Sequence, residues 1–491
     1  MCRRACVSGR KRQHPGRWKA VAGAAVIASV FSPSALAGIV SMDVFRTESS
    51  VPLYAAEALG RPDACMDTSQ GDGPVTFRDA LDRSLCNDPK VRGAWQDIKE
   101  KAAELGQAKA AYLPTITANY QGIDDDSTTD VHNHPTLSSS SHSFIQTVNA
   151  TADLVIWDFG SRAAASRAAR EMILSATATY RAALQTAVTT VAKDYYAALG
   201  AASQADATRK AMDAARETSL AATMRVEHGA APISDRLQAD TSLQEAVYAS
   251  QKADSDFRAA KGVLALDMGV DPSIPYRLPD IAEMNHLSGF GGASVRDLLQ
   301  EAEDSDPNIA SAVAALNAAE AQVDKAKADG LPTVSLTTKY TRNNQPASLG
   351  LGIPEFPATG RDWYVGVQVR VPIFDGFSRT YQIREAQAKV AEQEESVRDA
   401  RKQVAVGVWT DYEAVIASED NVESTRRLLS IADQSFDAAN RRYRVGAGSI
   451  LEVLNAQSAL ARAQKEHVAS LADFATATLT LAAKLGRLHD W

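Results

Sequence analysis

Asp362-Trp363-Tyr364-Val365-Gly366-Val367-Gln368-Val369-Arg370-Val371 alternates residue by residue. Trp363, Val365, Val367, Val369 and Val371 fall on one side, with Tyr364, Gly366, Gln368 and Arg370 on the other. Successive side chains of a strand point to opposite faces, so the run predicts a strand over 362–374 with one apolar and one polar face. An upstream run behaves alike: over 144–157, Val148, Ala150, Ala152, Leu154 and Ile156 oppose Thr147, Asn149, Thr151 and Asp153. About ten residues of such alternation suit a membrane barrel, apolar to lipid and polar to lumen. A half-buried hairpin on a soluble core would show the same pattern. Four strands are a meagre sheet for a chain of 491 residues, which favours the barrel. The mature chain holds no apolar run of the roughly 20 residues that a transmembrane helix needs, and lipid otherwise admits only closed barrels.

Each of these strands follows another that opens on the same residues. Leu113-Pro114-Thr115 returns as Leu331-Pro332-Thr333 and Asp88-Pro89 as Asp306-Pro307, both 218 residues on. Arg78-Asp79 and Arg296-Asp297 keep that offset. Past the strands the offset is 217. Ile156-Trp157-Asp158 with Ser161-Arg162 matches Ile373-Phe374-Asp375 with Ser378-Arg379, Asp194-Tyr195 matches Asp411-Tyr412, and Gly229 matches Gly446. Leu264 and Gly269 match Leu481 and Gly486 in the same way. Solenoid periods are roughly 20–50 residues, so this is a duplicated half-molecule with internal pseudo-twofold symmetry. The first copy spans 76–293 with strands 114–123 and 144–157, and the second spans 294–491 with strands 332–342 and 362–374. The polar stretch 124–143 and the Pro/Gly-rich stretch up to residue 361 read as exposed loops. His132-Asn133-His134 belongs to the first loop and reads as solvated chain rather than a metal site.

Between the strand pairs the pattern turns helical. Residues 163–231 contain no proline and only Gly200 and Gly229, which at 1.5 Å per residue predicts a helix approaching about 100 Å. Tyr180, Leu184, Val188, Val191, Tyr195 and Leu199 recur at spacings of three and four, while Ile383, Val390, Val397 and Val404 recur every seven. Those are the signatures of one buried stripe and of a coiled coil. Helices this long exceed a compact domain and call for an extended bundle or tube. One chain offers four strands, too few to enclose a lumen, whereas three chains offer twelve. The expected fold is an α+β membrane protein: a duplicated coiled-coil tunnel with four β-strands per protomer in a shared 12-stranded trimeric barrel.

Residues 1–37 read as a secretory signal peptide. Arg3, Arg4, Arg10, Lys11, Arg12, Arg17 and Lys19 precede a short apolar run over 20–31 and the small-residue site Ala35-Leu36-Ala37. Residues 38–75 form an irregular mature N-terminus. Cleavage removes seven basic and no acidic residues, so the formal net charge of −8 becomes −15. That argues against nucleic acid, whose binding rests on Lys and Arg neutralising phosphates. Cys2 and Cys6 leave with the leader. Cys65 and Cys86 remain, either as a disulfide in an oxidising compartment or as two thiols. No cysteine directly follows Ala37 to carry a lipid anchor. There is no phosphate loop, His-Glu-x-x-His, nucleophile elbow or spaced Cys/His cluster, so no enzyme activity, cofactor or metal is expected. Asp158 and Asp375, recurring where a strand gives way to a helix, read as helix caps.

With these residues in hand, the sequence resembles the TolC-like outer-membrane efflux family over roughly 76–488. The duplication carries the resemblance, with the Leu-Pro-Thr strand entries and Val371-Pro372-Ile373-Phe374-Asp375-Gly376. So does Tyr443-Arg444-Val445-Gly446 followed by Leu451-Glu452-Val453-Leu454-Asn455-Ala456-Gln457. It implies a homotrimeric duct in the cell outer membrane, with a barrel open to the outside and a helical tunnel in the periplasm. The duct would dock through a periplasmic adaptor (membrane fusion protein) on an inner-membrane ABC transporter or proton-driven pump. In this family helix pairs and carboxylate rings close the tunnel's inner end. On that mapping Glu452 and Asn455 form the periplasmic constriction, one a carboxylate and the other neutral. A Glu452 ring would gather cations and concentrate negative potential; the plainer reading is a solvated residue at a helix start. Tyr443 and Asp235 take the tunnel-closure contacts. Gly448 stands where a basic partner is usual, leaving Arg441, Arg442 or Arg444 to supply it. Gly229, Gly446 and Gly448 form the tips that face the adaptor. Within the family the resemblance runs toward the outer-membrane components of type I secretion, of the kind that export a large RTX-type toxin such as cyclolysin. It therefore implies a secreted protein cargo. The alternatives are the outer-membrane component of a multidrug or metal efflux pump and, more distantly, a periplasmic coiled-coil scaffold or adaptor whose strands are soluble.

Overall fold

The computed structural model describes residues 43–54, 74–279, 294–347 and 356–487. The expected signal peptide and most of the N-terminal segment, Cys65 included, lie outside the described residues. Cys86 is disulfide-bonded. Met1–Arg46 is a separate unit, described only in a turn where the Arg46 N–H donates to Asp43 O at 3.2 Å; Thr47–Trp491 holds the rest.

The duplication reappears in the helices with equal lengths. The first half runs α1 (Phe77–Asn87), α2 (Pro89–Ala110), β1 (Thr115–Thr129), β2 (Ser139–Trp157), α3 (Ser161–Glu227) and α4 (Ile233–Asp267). The second runs α5 (Val295–Ser305), α6 (Pro307–Ala328), β3 (Thr333–Asn343), β4 (Gly360–Arg370), α7 (Ser378–Arg444) and α8 (Ile450–Lys484). Helices of 11, 22, 67 and 35 residues follow in that order in both. The Asp-Pro pairs set the early boundaries. Asp88 accepts from the Lys90 and Val91 N–H groups at 2.6 and 3.4 Å, and Asp306 from Asn308 and Ile309 at 2.7 and 3.4 Å. The proline that follows has no N–H to lose at the first helical position.

The 67-residue helix α3 spans the unit, packing against α2 along one part and α4 along another, with α6 and α8 on a further side. Its partner α7 packs against α5, α6 and α8. Tyr180, Val188, Val191, Tyr195 and Leu199 are buried as their spacing predicts, and Leu184 is partly buried beside them. The α7 heptad buries Val397 and Val404. Among the described residues, no helix is long and apolar enough to cross a membrane.

The strands form one antiparallel sheet in the order β1-β2-β3-β4. Directly paired residues share a face, so the register sorts the side chains. One face carries Tyr120, Val148, Tyr340 and Trp363 near one end and Ile116, Ala152, Leu336 and Val367 further along. Val367 is 64% exposed and Trp363 70%, so among the described residues no element of the protomer covers this face.

Three sequence expectations need correcting. The stretch 124–143 is not wholly loop: β1 continues to Thr129 and β2 begins at Ser139, paired as far as Thr129 with Ser139. Polar residues fill both strands there, Asp124–Thr129 in β1 and Ser139–Ser143 in β2, so alternation of polarity vanishes while backbone pairing persists. Conversely β4 ends at Arg370, and 371–374 is irregular, because Pro372 has no N–H to offer a ladder. The long helix stops at Glu227 rather than reaching residue 231.

Candidate functional site

Far along the chain from the strands, each long helix turns back into its partner at a glycine. Gly229 and Gly446 have φ of +70° and +79°, the left-handed region where a side chain is strained. Both turns carry the same pair of backbone bonds. The Ala230 N–H donates to Arg225 O at 2.8 Å and the Gly229 N–H to Val226 O at 3.0 Å. In the second copy Ala447 donates to Arg442 O at 2.9 Å and Gly446 to Tyr443 O at 3.0 Å. This is the six-to-one, five-to-two pattern that satisfies the last carbonyls of a helix. At Gly448 a Cβ would sit 3.2 Å from both the Arg442 Cβ and the Tyr443 N, too tight for a side chain without movement.

Between the turns the hairpins α3–α4 and α7–α8 share a small core of Ala222, Ala239, Ala439, Tyr443, Ile450, Val453 and Ala456. Tyr443 is buried within it, and its hydroxyl has no hydrogen-bond partner among the described residues. Burial pushes that hydroxyl above its ordinary pKa, Arg225 pulls it down, and Asp235 adds to the rise. Tyr443 and Asp235 are therefore neighbours in charge but not joined by a hydrogen bond.

The contact that crosses between the hairpins belongs to Arg225. Its Nη1 donates to the Tyr443 carbonyl at 2.7 Å, and its guanidinium lies 4.7 Å from the Tyr443 ring centroid. Further crossings come from Gln457 Nε2, donating to Ala211 O at 3.2 Å, and from the Arg444–Glu217 ion pair at 3.8 Å. Arg441 pairs within its own helix with Asp437, and Arg442 stays in its own hairpin, 2.8 Å from Glu452. Glu452 lies in the first turn of α8, whose cap Ser449 accepts from its N–H at 3.3 Å. Its charge is thus offset by Arg442 within the protomer. Asn455, one turn on, is exposed.

At the other end of the molecule, the second face of the sheet is a ladder of polar groups. Thr117 and Thr151 hydroxyls lie 2.6 Å apart, Asn119 Nδ2 donates to Asn149 Oδ1 at 3.1 Å, and Thr337 Oγ1 donates to Asp153 Oδ1 at 2.8 Å. Lys339 and Tyr364 continue the Thr117–Thr151 row. A sheet apolar on one side and hydrogen-bonded across its strands on the other separates lipid from water.

The family model for outer membrane efflux proteins matches residues 80–265 and 298–487, that is, both copies. The chain belongs to the outer membrane efflux protein family. Among curated proteins of this family, it is 29% identical to Protein CyaE of Bordetella pertussis over 475 residues, 93% of each chain. It is 24% identical to the outer membrane protein TolC of Escherichia coli K12 over 64% of each chain. Solved structures share the fold: the outer membrane protein VceC of Vibrio cholerae at TM-score 0.69 and 20% identity, covering 84% of this chain and 96% of that one. The MtrE outer membrane channel of Neisseria gonorrhoeae aligns at TM-score 0.69 and 19% identity, covering 86% and 94%.

Members of this efflux family are channels and not enzymes. They are homotrimers of the outer membrane whose helical tunnel extends into the periplasm, working with periplasmic adaptors and inner-membrane transporters. The free edges of β1 and β4 are what that trimer joins. Sequence reasoning placed the tip turns but missed Arg225. The signal was available: the offset of 217 puts Arg225 beneath Arg442 and Asp235 beneath Glu452, so both copies carry Arg four residues before the turn glycine.

Proposed function

We propose that this outer-membrane channel is the exit duct of a type I secretion system and that its cargo is a large secreted protein of the RTX toxin class. The observation that carries the reading is the match to Protein CyaE, which runs through 93% of both chains rather than one copy or one motif. The motif resemblance to type I secretion components points the same way. The tip hairpins form the closed end of the tunnel, with Arg225 on Tyr443 holding them together and Asp235 beside them. Glu452 and Asn455 line the constriction, and the turns at Gly229, Gly446 and Gly448 face the adaptor. Residues 1–37 are the export signal.

A second reading keeps the duct and changes the cargo to small molecules. It draws on the 27% identity to the pyoverdine export outer membrane protein OpmQ of Pseudomonas aeruginosa over 83% of this chain. One comparison separates the two. A deletion strain should lose one large protein, and any haemolytic activity that protein confers, from its culture supernatant while keeping its drug tolerance. Normal secretion with new drug sensitivity would overturn the secretion reading in favour of efflux.

A further inference from the structure

The two halves, so alike in helix length, differ at one junction. In the second half α8 ends on Lys484, whose Nζ forms an ion pair with Asp411 Oδ2 at 2.7 Å. The offset of 217 places Asp194 beneath Asp411 and Asp267 beneath Lys484. The first half therefore sets acid against acid where the second sets acid against base. The position itself disfavours an anion: Asp267 is the last residue of α4, where the helix dipole already concentrates negative potential. Its Oδ2 is shut away from solvent and has no donor among the described residues. Two ionised carboxylates cannot hydrogen-bond to each other, but one shared proton makes one of them a donor.

Among the described residues, the surroundings give this pair no cation of the Lys484 kind. Asp194 faces Asp267 from α3, and Asp88 faces it from the start of α2 as a third negative charge. Asp88 is already committed to capping α2. Lys90 is the cation among the residues lining the adjoining cavity of about 450 Å³, with Asp88, Thr186 and Asp267, and it forms no ion pair with Asp267. Asn87 Nδ2 closes the junction by donating to Met268 O at 3.1 Å.

We propose that Asp194 and Asp267 share one proton and form a pH-responsive joint that holds the end of α4 against α3. With the proton in place the first tip hairpin is fixed at its far end. When the proton leaves, the carboxylates repel and that hairpin loosens, while Asp411–Lys484 keeps the second hairpin anchored. The joint does not depend on which cargo the channel carries.

Burial, then the hydrogen bond to Asp194, then the charges of Asp194 and Asp88 push Asp267 up from 3.8 to about 6. A carboxyl raised in the folded state contributes stability that is fully present below its unfolded pKa and is lost as the pH rises through the folded one. The window therefore runs from about pH 4 to pH 6, and the joint is loose above it.

Hydrogen exchange of the detergent-solubilised trimer tests this, with the chain serving as its own control. Protection of the segment 264–270 is compared with that of its counterpart 481–487 at pH 5 and pH 7.5, each corrected for intrinsic exchange. The ratio should fall on the order of tenfold across that interval in the natural protein. Asp267→Lys, which copies the second half, should abolish the fall and raise protection at pH 7.5. Asp194→Asn should also remove the pH dependence, covering the case in which the Lys variant does not assemble. A ratio that stays constant in the natural protein overturns the proposal, as does an equal fall in the variants.

Discussion

Arg225 and Arg442 occupy one position in two copies and have opposite employments, the first reaching across to Tyr443 and the second turning back to Glu452. Arg225 combines a charge-assisted hydrogen bond with a contact over an aromatic face, together worth about 1–2 kcal/mol at a half-buried site. Arg225→Ala should therefore shift the closed-to-open balance of the tip by roughly five- to thirtyfold. Planar-bilayer recordings would register it as more frequent or larger openings, and unchanged recordings would remove Arg225 from the latch. The Arg442–Glu452 pair leads to a different result. With the two charges 2.8 Å apart, the pair itself brings nearly no net charge to the constriction proposed at Glu452. Arg442→Gln should expose three carboxylates and raise cation preference, whereas Glu452→Gln should expose three guanidiniums and lower it. Reversal potentials in a salt gradient measure both, and shifts of the same sign would contradict the pairing. Glu452 was legible from its place after Gly446. Its partner was not, because which of three adjacent arginines turns toward Glu452 depends on side-chain direction rather than on composition.

Strand β4 puts the membrane argument into adjacent residues. Val367 belongs to the apolar face with Leu336, and Gln368 to the polar face with Ser335. An arginine facing lipid near the bilayer midplane costs about 2–4 kcal/mol, whereas one facing an aqueous lumen costs little. Val367→Arg should therefore deplete the assembled trimer on native gels, and Gln368→Arg should leave it intact. Equal loss in both would mean that the sheet does not divide lipid from water. The same physics explains which parts of the sheet sequence reasoning found. Alternation is visible only where the two faces meet different media, as over Val365–Val369. Beyond the lipid, both faces of the Asp124–Thr129 end of β1 meet water, and the pattern dissolves although the strand continues. Helix ends were more legible, since Asp88-Pro89, Asp306-Pro307, Gly229 and Gly446 each carry a local backbone reason to stop or start.

At the scale of the molecule, the sheet order leaves β1 and β4 as open edges of one protomer, and duplication supplies strands in pairs that alternate in direction. Placed side by side, β4 of one copy and β1 of the next continue the antiparallel alternation, so the barrel closes without a change of pattern. Thr117 on β1 and Tyr364, Gly366 and Gln368 on β4 all belong to the lumen-side face. Within one chain β1 and β4 are three strand spacings apart, about 14 Å, while a disulfide tolerates Cα separations only up to about 7 Å. A cysteine at 117 combined in turn with one at 364, 366 or 368 therefore has no partner inside its own chain. Gly366 is a convenient site, because a Cβ there meets nothing within 4 Å. Mild oxidation should give covalent dimers and trimers for the combination nearest the true register, in a ladder that stops at three. Intrachain bonds, or a ladder running past three, would be incompatible with twelve strands shared among three protomers. The position of the productive cysteine would also fix the one register that a single protomer cannot supply, between β4 and the next β1.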